Sequence, residues 1–283
     1  MAIKKTLLTK KIALKKDGIK GHFQKKLTER RIKVEPFAAL LPHIITVTAL
    51  CSGLTGIRQA LLENWEGAIF AILLAAFLDG IDGRLARLLG TSSHFGAELD
   101  SFADLINFGV VPSLVMYFYA LHNLGNPGWA VVLFFSNCMV LRLARFNVMA
   151  FDETKFPLWG KNFSVGAPAP AGALLCLSPL ICELAFPSFS FNAVVVAVIM
   201  VCVGGLMVSR IPTLSFKKLP LNQQHTIPVI LLVVVFFGSL YSAPWQTLVL
   251  IIFCYVITMP LVYWQCRTFV EKQQKQTEPD NIE

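Results

Sequence analysis

The chain has 283 residues, of which 55% are hydrophobic and only 15% charged, with a formal net charge of +8. That balance excludes a water-soluble globular domain and describes a polytopic membrane protein. Seven cysteines scattered singly, with no C-x-x-C spacing, exclude a zinc or disulfide framework and read as small packing residues.

Residues 1–35 hold twelve Lys or Arg against three acids, with no apolar core long enough for a secretory signal. They form a basic arm, either solvated or lying on an anionic leaflet, where each near-surface cation contributes about 1 kcal/mol. With one aromatic, Phe23, and no fold of its own, the arm is not a nucleic-acid binder. A span takes about 20 predominantly apolar residues. Candidates lie at 38–60, 66–89, 97–120, 128–149, 167–186, 191–209, 226–241 and 245–265. The expected fold is therefore all-α, a transmembrane helix bundle of about eight spans. Its expected divisions are the arm (1–35), a six-span catalytic core (36–225), a C-terminal two-span hairpin (226–266) and a tail (267–283). With the amino terminus in the cytoplasm, Arg58 is the only Lys or Arg on the far side. Both termini and the junction of spans two and three then face the cytoplasm.

That junction holds Asp79, Asp82, Asp100 and Asp104 inside apolar sequence. Each ionised residue in a bilayer costs about 2.5–3.5 kcal/mol on insertion scales. At about 100° per residue, Asp79 and Asp82 share one helix face, with Gly83 and Ala86 in the same arc and Arg87 at its edge. Gly96, Asp100 and Asp104 repeat at i+4 and share a face, with Asn107 beside them. The small residues leave room for a planar or phosphorylated group to approach the backbone, and Arg84 and Arg87 answer phosphate charge. Oxygen-only ligands select a hard cation, Mg²⁺ or Mn²⁺. Three readings stay open on these residues alone: metal-assisted phosphate chemistry, a cation-coupled transporter, and a structural network pairing the acids with Arg84, Arg87, Arg142 or Arg145. The five histidines form no ligand-spaced cluster and read as bland.

The run Asp79-x-x-Asp82-Gly83-x-x-Ala86-Arg87, eight residues, then Gly96-x-x-x-Asp100-x-x-x-Asp104 resembles the complete signature of the CDP-alcohol phosphatidyltransferase family. The resemblance implies that a CDP-linked lipid gives its phosphatidyl group to a hydroxyl and CMP leaves. It implies Asp79, Asp82 and Asp100 as metal ligands, with Asp104 completing the site and acting as general base. Gly83, Ala86, Arg87 and Gly96 would line the CDP pocket.

A second set of residues resembles the phosphatidylserine synthase branch. It comprises Leu41-Pro42, Asp100-Ser101 followed by Asn107-Phe108-Gly109-Val110-Val111-Pro112, Leu141-Arg142-Leu143-Ala144-Arg145-Phe146-Asn147, and Gly166-Ala167-Pro168-Ala169-Pro170 with Gly172. This resemblance implies CDP-diacylglycerol and L-serine as substrates, the inner membrane of a bacterium as location, and a homodimer. Another acceptor (glycerol 3-phosphate, inositol phosphate or choline) would use the same aspartates. Arg142 and Arg145, at i and i+3, share a helix face. With Asn147 they are candidates for gripping the donor phosphate or the serine carboxylate, against snorkelling to headgroups as the plain alternative.

Overall fold

The computed structural model describes residues 36–91, 93–151, 164–209, 212–213 and 226–277. The basic arm and the loop cations Lys155, Lys161, Arg210, Lys217 and Lys218 lie outside the described residues. The described chain is helical. In order come α1 (Pro36–Leu61), α2 (Trp65–Leu89) and α3 (His94–Leu105), which continues through a π-turn (Ile106–Val110) into α4 (Val111–Tyr119). A short 3₁₀ turn leads to α5 (Asn126–Phe151), then α6 (Ala169–Cys176), α7 (Ser178–Ala185), α8 (Ala193–Val208), α9 (Thr226–Ser242) and α10 (Pro244–Thr277). One antiparallel pairing of two residues each, Ser164–Val165 with Pro212–Thr213, ties the entry of α6 to the exit of α8.

Each expected span coincides with a helix or a pair of helices. By length and composition, Leu40–Leu61, His94–Tyr119, Asn126–Met149 and Pro244–Thr268 can each cross a bilayer, and α8 is a shorter apolar helix. The protein is an integral membrane protein with an all-helical, polytopic fold. α10 continues to Thr277, into the segment expected as a tail.

Two expected continuous spans are interrupted, each by a proline. Pro112 has no N–H for the Phe108 carbonyl and its ring crowds that group. The helix widens there, with the Val111 N–H reaching back to the Ile106 carbonyl. In the fifth span, Pro179 crowds the Leu175 carbonyl, and the chain breaks at Leu177 into α6 and α7. The Ser178 hydroxyl donates to that freed carbonyl at 2.7 Å.

The core is formed where α4, α5, α6 and α8 meet, around Phe108, Met116, Phe135, Met139, Met200 and Met207, all fully buried. Small residues let the backbones approach: a Cβ on Gly109 would stand 2.9 Å from Met139, and one on Gly172 would stand 2.6 Å from the Met207 sulfur. At the end away from the aspartates, the Tyr119 hydroxyl donates to Glu183, joining α4 to α7. α1 lies against both α2 and α3. That placement brings a third helix to the site.

Candidate active site

α2 carries Asp79 and Asp82 and ends at Gly90, whose φ of 64° is the left-handed cap that favours glycine. α3 begins after Ser93, whose hydroxyl accepts the Gly96 N–H at 3.0 Å. This short capped connection turns the chain back, so that the two halves of the acidic run face one another.

Asp79, Asp82 and Asp100 each bring an oxygen to within 4.8 Å of the other two. Three carboxylates gathered this closely would hold one hard cation between them. Asp104 stands outside that trio, one helical turn deeper. Its carboxyl hydrogen-bonds that of Asp79. Two carboxylates this close repel one another, and a nearby cation offsets that repulsion. Asp82 Oδ1 and Asp104 Oδ1 are buried without a hydrogen-bond partner among the described residues. A self-satisfied salt-bridge network would leave neither orphan, which disfavours the structural reading. The donor chemistry, the spacing and the orphaned oxygens all fit a hard divalent cation.

Beside the trio opens a cavity of about 470 Å³, within the range of small-molecule sites. Gly83, Ala86, Arg87 and Gly96 all line it, with Asp82 and Asp100 at its acidic wall. Gly83 leaves open space, since a Cβ there would meet nothing within 4 Å. Gly96 serves packing as well: a Cβ there would stand 2.7 Å from the His43 ring. Arg87 folds back so that its Nε donates to the Gly83 carbonyl at 2.8 Å, which holds the guanidinium along the wall. Arg84 is exposed and does not line the cavity.

α1 supplies residues that spacing alone did not point to. Pro42, His43 and Thr46 line the same cavity. Thr46 Oγ1 lies 2.5 Å from Asp82 Oδ2 and donates to it, fixing the carboxylate. His43 packs edge-on against Phe95, ring centroids 5.7 Å apart. The Leu41-Pro42 signal lies inside α1 rather than at its start, and nothing in the sequence tied His43 or Thr46 to the acids of α2.

Asn107 follows Asp104 on the same helix, inside the π-turn. It is fully buried, and neither its Oδ1 nor its Nδ2 has a hydrogen-bond partner among the described residues. Each orphaned buried polar atom costs about 1–3 kcal/mol. Room for the amide is kept by Gly53 of α1, where a Cβ would stand 2.1 Å from Asn107 Oδ1.

The two arginines of α5 part company. Arg145 directs Nη1 to the Val208 carbonyl at 2.6 Å and Nη2 to the carbonyls of Met207 and Ser209 at 3.3 and 3.2 Å. It caps the C-terminus of α8, where cations are favoured. Gly166, with φ of 74°, passes so close that a Cβ there would stand 3.2 Å from Arg145 Nη2. The pair was a candidate for gripping phosphate or carboxylate; in the fold both Nη atoms of Arg145 meet backbone carbonyls. Among the described residues Arg142 spends only Nε, on the Ala167 carbonyl at 2.7 Å, and its charge acts on Asp104. Asn147 donates to the Ser101 hydroxyl at 3.2 Å, tying α5 to α3.

A family model described as CDP-alcohol phosphatidyltransferase matches residues 39–204, which include all of these side chains. The chain belongs to the CDP-alcohol phosphatidyltransferase family. Among its relatives in that family, a CDP-diacylglycerol–serine O-phosphatidyltransferase of Mycobacterium leprae is 38% identical, over 78% of this chain and 73% of the relative. Proteins of the same name from Helicobacter pylori and Bacillus subtilis are 33% and 37% identical. They cover 77% and 63% of this chain and 88% and 92% of their own lengths.

Proposed function

We propose that this family member transfers the phosphatidyl group of CDP-diacylglycerol to the hydroxyl of L-serine, releasing CMP and forming phosphatidylserine. The observation that carries the proposal is the acidic trio opening onto a cavity walled by the four remaining signature residues Gly83, Ala86, Arg87 and Gly96. The relatives' names support serine as the acceptor.

In this reading Asp79, Asp82 and Asp100 hold Mg²⁺ or Mn²⁺, with Asp104 completing the set. Such a cation supplies charge neutralisation to the donor's pyrophosphate. The rest is done by the chain. Thr46 fixes the Asp82 carboxylate through its hydroxyl. Gly83 and Gly96 leave space for the cytidine to lie against the backbone, and Arg87 faces the phosphate charge. Asp104 takes the proton from the serine hydroxyl, whose oxygen attacks the lipid-side phosphorus as the bond to CMP breaks. Positioning of the two substrates supplies much of the acceleration. Arg142 presents its remaining guanidinium nitrogens near Asp104 to a substrate anion, a carboxylate or a lipid phosphate. Arg145 and Asn147 brace α5 against α8 and α3 so that Arg142 stays in place.

The membrane placement follows the charge pattern: amino terminus, carboxy terminus and catalytic cavity in the cytoplasm, with the lipid donor entering from the inner leaflet of a bacterial inner membrane. The divisions follow too, with residues 36–225 as catalytic core and 226–266 as a hairpin packed on it. The homodimer implied by family resemblance draws no support from the fold or from the relatives.

The test is one assay. Purified protein in lipid vesicles receives CDP-diacylglycerol, Mg²⁺ or Mn²⁺, and a panel of labelled alcohols. CMP release with label from serine entering lipid is the expected result. Transfer only to glycerol 3-phosphate, inositol phosphate or choline would overturn the acceptor. Ion flux with no CMP release would overturn the enzyme and favour a transporter.

A further inference from the structure

The π-turn contains a side chain that gains nothing from the fold. Asn107 is fully buried, yet both of its amide atoms lack hydrogen bonds. Buried amides in a finished core are almost always paired, and an unpaired one calls for a reason. Two features of the chain maintain it. The wide turn at Ile106–Val110 shifts the helix register at this level, and such turns recur at functional sites. Gly53 keeps a notch in α1 that any other residue would fill.

Its position gives the reason. The nucleotide cavity lies on the side of the acidic cluster formed by Asp82 and Asp100, and Asp104 and Asn107 do not line it. They continue α3 past the cluster, and Arg142 acts on Asp104 from α5. A displacement at phosphorus is in line, so the incoming hydroxyl approaches opposite the leaving group. With the leaving CMP in the cavity, the acceptor belongs on the side of Asp104, Asn107 and Arg142.

We propose that Asn107 is the acceptor-selecting residue: Oδ1 accepts from the α-ammonium of a small hydroxylated amino acid, and Nδ2 donates to its α-carboxylate. One amide thus matches a zwitterion at both ends. An acceptor with no ammonium, such as glycerol 3-phosphate, would leave Oδ1 unpaired, and sites built to pair such groups reject ligands lacking them. Both atoms are covered in the structure, and the acceptor must displace the packing of Asn107 against Gly53 to reach them. This inference rests on the serine-transfer reading above.

The test compares full-length wild type, Asn107→Leu and Asn107→Ala in vesicles. KM for labelled L-serine, KM for CDP-diacylglycerol and melting temperature are measured for each. Loss of a hydrogen bond to a charged group is expected to raise KM for serine by about ten- to hundredfold, with the donor KM unchanged. Asn107→Leu removes two orphaned atoms and is expected to melt at or above the wild-type temperature. If added bulk prevents Asn107→Leu from folding, the split between the two KM values in Asn107→Ala carries the same decision. A serine KM within threefold of wild type would overturn the inference. So would a parallel rise in both KM values, or a lower melting temperature with both KM values intact, which marks a structural amide. Wild type that transfers to no amino acid would remove the serine-transfer reading itself; wild type active on serine with an unaffected Asn107→Ala removes only the role of Asn107.

Discussion

Gly83→Ala separates the demands of the fold from those of the site. A Cβ at Gly83 meets no atom within 4 Å, so the bundle accepts the methyl group without strain. In mid-helix the change favours folding by about 0.5–1 kcal/mol. The same methyl projects from the wall of the cavity. Adding a methylene to a fitted space costs about 1–3 kcal/mol. At about 1.4 kcal/mol per tenfold, KM for CDP-diacylglycerol should rise roughly five- to 150-fold. Gly80→Ala is the control: it too meets nothing within 4 Å, and it does not line the cavity. Steady-state CMP release at saturating serine, with thermal melts of both variants, decides the matter. The expected pattern is two variants at least as stable as wild type, of which only Gly83→Ala loses donor affinity. Equal donor KM values for the two would refute the assignment of this cavity to the nucleotide.

Three further substitutions test other parts of the account. Thr46→Val removes the hydroxyl that fixes Asp82 and should raise the Mg²⁺ concentration for half-maximal activity about 10- to 100-fold, read from a metal titration of CMP release. Asp104→Asn should reduce turnover by about 10²- to 10⁴-fold while equilibrium binding of CDP-diacylglycerol persists; full turnover would remove the base assignment. Arg145→Ala strips the cap from α8 and should destabilise the bundle by at least about 1.5–3 kcal/mol, the worth of one charged hydrogen bond. Arg142→Ala forfeits one such bond rather than three, so it should lower the melting temperature less than Arg145→Ala does and lose transfer activity. Reversal of that contrast in thermal melts and CMP release would return Arg145 to the substrate.

The part of the site on one hairpin was legible in the sequence, because helical geometry converts spacing directly into faces. Asp79 with Asp82, and Asp100 with Asp104, need only the 3.6-residue period to be placed. The glycine and alanine positions between them then mark the walls of the cavity. Contributions from elsewhere were not legible. Thr46 reaches Asp82 across 36 positions, and no periodicity reports a contact between two helices. Arg145 shows the same limit. Its charge and face were readable, but the carbonyls it meets at the end of α8 lie more than 60 residues away. The interruptions at Pro112 and Pro179 were present in the sequence as helix breakers. Apolar length dominated the expectation of unbroken spans, whereas the backbone yields to a missing N–H donor by widening in one case and breaking in the other.

The central claim is that the aspartates bind a divalent cation together with the CDP-lipid. The most direct measurement is the electron paramagnetic resonance of Mn²⁺ titrated into the purified protein with and without CDP-diacylglycerol. The account predicts saturable Mn²⁺ binding that tightens when the lipid is present and is lost in Asp79→Asn and Asp100→Asn. Mn²⁺ that stays free in solution at all protein concentrations, or binding unchanged by those two substitutions, would contradict it.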